Sequence, residues 1–136
     1  MHIDLLVTRI NDVSASDAAA TEVVDLAALG GTGGAIWSVS PGGVHTNLVA
    51  LASGDSIAHH RNDEVDVLVV VLDGFATVRI EDTGFGLAPH TAVMIPRGVT
   101  RSVEAGPVGV RYLSIHAERA PLAPGRRRGR SLEEHP

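Results

Sequence analysis

The chain has 136 residues, a net charge of −5 and 44% hydrophobic residues, which suits one globular domain and excludes wholesale disorder. It contains no Cys, so disulfides, thiolate chemistry and zinc–sulfur sites are excluded. All 11 basic side chains are Arg: seven stand against 14 acids in residues 1–120, and four against two Glu in residues 121–136. An acidic body argues against nucleic acid as a partner, because phosphate binding needs a basic face.

No stretch approaches the roughly 20 apolar residues of a membrane-crossing helix. The N-terminus has early acids and no basic segment, so it does not read as a signal peptide. No membrane partner is expected, and the expected location is the cytoplasm. Aromatic residues make up only 3%, so the core has to be filled by Val, Leu, Ile and Ala.

Residues 3–9 read as a first strand. Residues 14–29 are Ala-rich, with Ser14 or Ser16 as a cap, and predict a short helix that Gly30, Gly31, Gly33 and Gly34 end. That Gly run lacks the Lys-Ser/Thr of a phosphate loop and reads as a connection. From residue 35 the pattern becomes all-β, with strands predicted at 35–39, 46–52, 67–72, 76–80, 91–95 and 108–115. Turn signals separate them at Pro41-Gly42-Gly43, Ser53-Gly54-Asp55, Asp73-Gly74, Asp82-Thr83-Gly84 and Pro96-Arg97-Gly98. Short strands with turns at this spacing predict an antiparallel sandwich or barrel. The run Val67–Leu72 is apolar on both faces and predicts a strand covered on both sides, by the barrel interior and by a second sheet or a partner subunit. The segment after residue 120 is rich in Pro, Gly and Arg and reads as a solvated, flexible tail. The organisation expected is an N-terminal strand and linker (1–34), a barrel (35–120) and a tail (121–136).

Two segments carry a family resemblance. GDSIAHHRNDEVDVLVVVLDG (Gly54–Gly74) resembles the first motif of the cupins, and HTAVMIPRGVTRSVEA (His90–Ala105) resembles the second. The resemblance implies an all-β, antiparallel jelly-roll barrel of the small single-domain type. It implies neither a defined activity nor a substrate. Cupins commonly dimerise through an outer sheet, so a homodimer is implied. The family's divalent metal (Fe, Mn, Zn or Ni) is held by three His and an acid. Taken position by position, Gly54 and His60 match the first motif, Asn62 stands at its second His, Asp66 at its acid, and Gly74 closes it one residue late. In the second motif Pro96 and Gly98 match, His90 stands for the Gly, Arg101 for the last His and Ala105 for the Asn. The turn framework is kept and the ligand set is not. Arg101 cannot deprotonate and so cannot ligate a cation.

Two readings of residues 60–66 follow. If they form one strand, His60, Asn62, Glu64 and Asp66 share a face at the barrel mouth, with Arg101 opposite. If Asn62-Asp63 is a turn, that alignment breaks. The candidate ligand-binding set is His60, Asn62, Glu64, Asp66, Arg101 and His116, for a small polar or anionic molecule. Arg101 would hold a carboxylate, either Glu64 or Asp66 or one belonging to the ligand. A metal, if one binds, would use His60, Asp66 and His116, making a metal-dependent enzyme the alternative reading. A metal-free acid–base catalyst built on His60 is a further reading, and an interaction module without a ligand is another. His59 and His90 are expected at the surface, and Trp37 and Tyr112 in the core.

Overall fold

In the computed structural model, residues 21–118 are described. The strand expected at 3–9, the first part of the helix expected at 14–29, and the tail lie outside them. Seven strands follow in order: β1 (Gly34–Val39), β2 (Val44–Leu51), β3 (Ser56–Arg61), β4 (Val67–Ile80), β5 (Thr83–Leu87), β6 (Ala92–Ile95) and β7 (Thr100–Ala117). Every ladder is antiparallel. The path runs β1-β2-β7-β4-β5, with β3 also paired to β7 and β6 also paired to β4. Among the described residues no ladder closes the sheet into a ring.

Two long strands organise this sheet. The first part of β4 (67–71) pairs with β6 and with the end of β7, whereas its last part (76–80) pairs with β5 and with the start of β7. β7 likewise pairs with β2 through its second half and with β3 through its first. The sheet is thus folded into two leaves that share β4 and β7. Register shifts in the β4–β7 ladder fall between Val71 and Asp73 and between Gly74 and Ala76. Gly74 (φ 78°) and Gly109 (φ 82°) sit at this fold line. A Cβ on Gly74 would lie 2.1 Å from the Gly109 carbonyl oxygen, so the two backbones approach as only glycine permits.

The core lies between the leaves. Val49, Leu51, Val67, Val69, Val71, Ile95, Val110 and Tyr112 face it from one leaf, and Ala76, Val78, Leu87 and Val103 from the other. It is Val-rich, as the composition required. β-branched side chains suit a pleated, half-buried surface.

Several expectations change. The helix expected to run to residue 29 is, within 21–29, only a 3-10 turn at Leu26–Ala28. The Asp25 carboxylate caps it, and Arg111 Nη2 donates to the carbonyls of Leu26 (2.7 Å) and Leu29 (3.0 Å), tying its end to the sheet. Asp73-Gly74 is a bend inside β4 rather than a turn. β7 starts eight residues before the expected 108 and runs through Pro107, with Gly106 and Gly109 absorbing the kink. β5 was not expected, because Gly84 and Gly86 dilute its pattern. In Val67–Leu72 the inner residues are buried, and Leu68, Val70 and Leu72 on the second face are half-buried within the single chain.

Candidate functional site

A cavity of about 220 Å³ opens at one end of the core. Apolar side chains of β2, β3, β4, β6 and β7 form its walls, among them Val49, Val67, Ile95 and Tyr112. Its polar lining consists of His60, Asn62, Arg101, Ser114 and His116. Four of the six expected site residues are therefore brought together here: His60, Asn62, Arg101 and His116.

The pairing of β3 with β7 builds the centre of the site. His60 stands opposite Arg101 in that ladder. Arg101 is only 4% exposed, and its Nε donates to His60 Nε2 at 3.2 Å. A guanidinium only donates, so His60 Nε2 must accept. The ring proton is then on Nδ1, which donates to the Ala58 carbonyl at 3.0 Å. Both nitrogens of His60 are thus engaged, and its orientation is fixed. Arg101 Nη1 is buried and has no hydrogen-bond partner among the described residues. Burial lowers the Arg101 pKa, because its charge is held away from water.

The second reading of residues 60–66 holds and the one-strand reading fails. β3 ends at Arg61. The Asn62 side-chain oxygen accepts from the backbone N–H of Glu64 (2.8 Å) and of Val65 (3.3 Å), making a turn. That turn takes Glu64 and Asp66 off the cavity face. Asp66 instead accepts from the backbone N–H of Arg97 at 2.8 Å, which joins the two motif loops. Glu64 is exposed and does not line the cavity. The Arg101 Nε bond goes to His60 and to neither carboxylate. Asn62→Ala should cost about 1 kcal/mol through the lost turn. A urea midpoint unchanged by that substitution would show that the turn forms without its side chain.

The metal of the resemblance does not fit this donor set. Among the described residues no three His, Asp or Glu side chains gather as a ligand group. His60 presents Nε2 to a guanidinium, a fixed cation stands beside it, and Asp66 is turned away. The set His60, Asp66 and His116 is therefore not assembled. His59 and His90 are exposed, as expected. Trp37 is half-buried and outside the core cluster, whereas Tyr112 belongs to both the core and the cavity wall.

Burial pushes the Tyr112 hydroxyl up to about 12 from its ordinary 10.0. The unfolded chain therefore loses this proton first. Stability present below pH 10 is lost as pH rises towards 12, with a slope of about 1.4 kcal/mol per pH unit. The sequence has one Tyr and neither Lys nor Cys, so no other residue of these types titrates in that window. Urea midpoints should fall across it in the wild type and stay nearly flat in Tyr112→Phe. Parallel curves would assign the alkaline loss elsewhere.

No protein-family model matches the sequence, and no curated protein does. Solved structures do match. TT1209 from Thermus thermophilus is 22% identical with a TM-score of 0.64, over 74% of this chain and 100% of that one. The Cnp3 cupin domain of Schizosaccharomyces pombe is 20% identical with a TM-score of 0.56, over 60% and 62% of the two chains. A cupin-2 domain protein of Shewanella frigidimarina is 18% identical with a TM-score of 0.53, over 59% and 76%. No helix among the described residues is long and apolar enough to cross a membrane. Two leaves sharing β4 and β7, with a cavity at one end of the core between them, give this chain the fold of the cupins.

Proposed function

We propose that the protein binds a small carboxylate with a short apolar body, anchored by Arg101 inside the cavity. The observation that carries this reading is the buried Arg101 with Nη1 unpartnered among the described residues. A buried donor without a partner costs about 1–3 kcal/mol, and more when charged. A carboxylate at the free edge of the guanidinium would satisfy it with charge-assisted, in-plane hydrogen bonds. The apolar walls suit a hydrocarbon body. At about 30 Å³ per water, the cavity holds roughly seven waters, so the ligand has only a handful of carbon atoms.

Binding is favoured over acid–base catalysis by the state of His60. A general base needs a free ring nitrogen within reach of substrate. Here Nδ1 is on the Ala58 carbonyl and Nε2 on Arg101. A filled interior would have suited an interaction module, and the cavity does not. The test is a thermal-shift and calorimetric screen of short-chain carboxylates, with amines of the same size as controls. The expected result is saturable binding of one carboxylate per chain, none of the amines, and loss of binding in Arg101→Ala. Equal affinity in that variant, or no carboxylate binding in the wild type, overturns the reading.

A further inference from the structure

A second group of imidazoles lies on the opposite side of the mouth. His45 on β2 and His116 on β7 are direct partners in the antiparallel ladder. Opposed residues in such a ladder project from the same face. Their ring centroids are 5.1 Å apart, with the planes tilted by 41°. Both residues are half-buried, so they stand at the rim, neither sealed in the core nor fully in solvent.

Each ring is held by its Nδ1. His116 Nδ1 donates to the Ala117 carbonyl at 2.8 Å. His45 Nδ1 is hydrogen-bonded to the Ser40 hydroxyl, whose oxygen can accept from it. Neither Nε2 has a hydrogen-bond partner among the described residues. For His116 the carbonyl fixes the proton on Nδ1 and leaves the Nε2 lone pair free, the arrangement that prepares an imidazole for metal. For His45 the hydroxyl, which can accept or donate, holds the ring in place and is compatible with the same tautomer. The strand ends beneath are also fixed. Val44 pairs with Ala117, and the Glu118 backbone N–H donates to the Gly43 carbonyl at 2.7 Å. Little ordering is left to be done when an ion arrives.

We propose that His45 and His116 form a two-imidazole site for a borderline first-row divalent cation, Zn²⁺, Ni²⁺ or Cu²⁺, bound through their Nε2 atoms. Imidazole nitrogen suits these ions and is a poor ligand for Mg²⁺ or Ca²⁺. Water completes the coordination, so the site is open. It differs from the set His60, Asp66 and His116 in its second histidine and in needing no carboxylate. Ser40 is a positioning residue that holds the His45 ring through Nδ1.

Calorimetric titration of the full, untagged chain with Zn²⁺ tests this. One Zn²⁺ per chain should bind saturably. His45→Ala and His116→Ala should each abolish that binding, and circular dichroism should show both folded, as half-exposed positions allow. Ser40→Ala should weaken binding about tenfold, and His59→Ala, on the other face of β3, should bind as the wild type does. Mg²⁺ should give no heat of binding. Retained Zn²⁺ affinity in His45→Ala overturns the proposal, as does loss of binding in His60→Ala with His45→Ala intact, or no saturable binding in the wild type.

Discussion

Arg101→Met should make the ligand-free protein more stable while removing its carboxylate binding. The guanidinium is 4% exposed, its Nε partner is a neutral imidazole, and Nη1 has none among the described residues. Replacing a buried ionic group by an apolar side chain of similar length is commonly neutral or stabilising by about 1–4 kcal/mol. Here the substitution also frees His60 Nε2, but His60 is exposed and water can take over that bond. A gain of about 1–3 kcal/mol is expected, or several degrees in the thermal midpoint for a domain of this size. The two readouts must move in opposite directions. A loss of stability would mean that Arg101 serves the β3–β7 ladder rather than a ligand.

Gly74→Ala should be the most damaging glycine-to-alanine change among the described residues. The new Cβ would meet the Gly109 carbonyl oxygen at 2.1 Å and the Gly109 carbonyl carbon at 2.9 Å. Both contacts are with backbone, so no rotamer change relieves them. The left-handed φ of 78° adds strain of about 1 kcal/mol. Against a total stability of about 5–15 kcal/mol, separating the two leaves at their fold line should leave little folded protein. Gly54→Ala supplies the control. Gly54 has a similar φ of 87° but open space around its Cβ, so only the strain of about 1 kcal/mol should appear. Circular dichroism and urea titration of the two variants separate the effects. Equal losses would show that backbone strain, and not the close approach, governs Gly74.

Much of this architecture was legible because strands announce themselves by local pattern. The alternating Val residues of β4, the turn at Pro41-Gly42-Gly43 and the two motif frameworks placed the fold and the mouth. What was not legible depends on long-range geometry. Whether Asp73-Gly74 turns the chain or bends a strand is decided by Gly109, 35 positions later, and no local window contains both. β5 is a strand because β4 offers it an edge, despite two glycines. At the site, the motif register put His60 and Arg101 at the mouth, where both line the cavity, but not the hydrogen bond between them. It put Glu64 and Asp66 on the cavity face, from which a single Asn62 side chain, accepting two backbone N–H groups, turns them away against strand alternation. The sequence signal for that turn was the Asn-Asp dipeptide. His45 had no motif around it, and only the β2–β7 register brings it to His116.

The central place of β7 also bears on how the chain reaches this state. It borders β2, β3 and β4, and each of those strands precedes it by at least 20 residues. During synthesis, hairpins such as β1–β2 and β4–β5 can form as they emerge. One leaf gains its middle strand only when the first part of β7 has left the ribosome, and the other only when residue 117 has. Folding therefore waits on distant pairings whose loop-closure entropy must be met before any reward, a slow, high-contact-order route. Over that interval the Val-rich strands that later enclose the cavity face water with open edges, and the period before β7 docks is when this chain is most prone to pair with another.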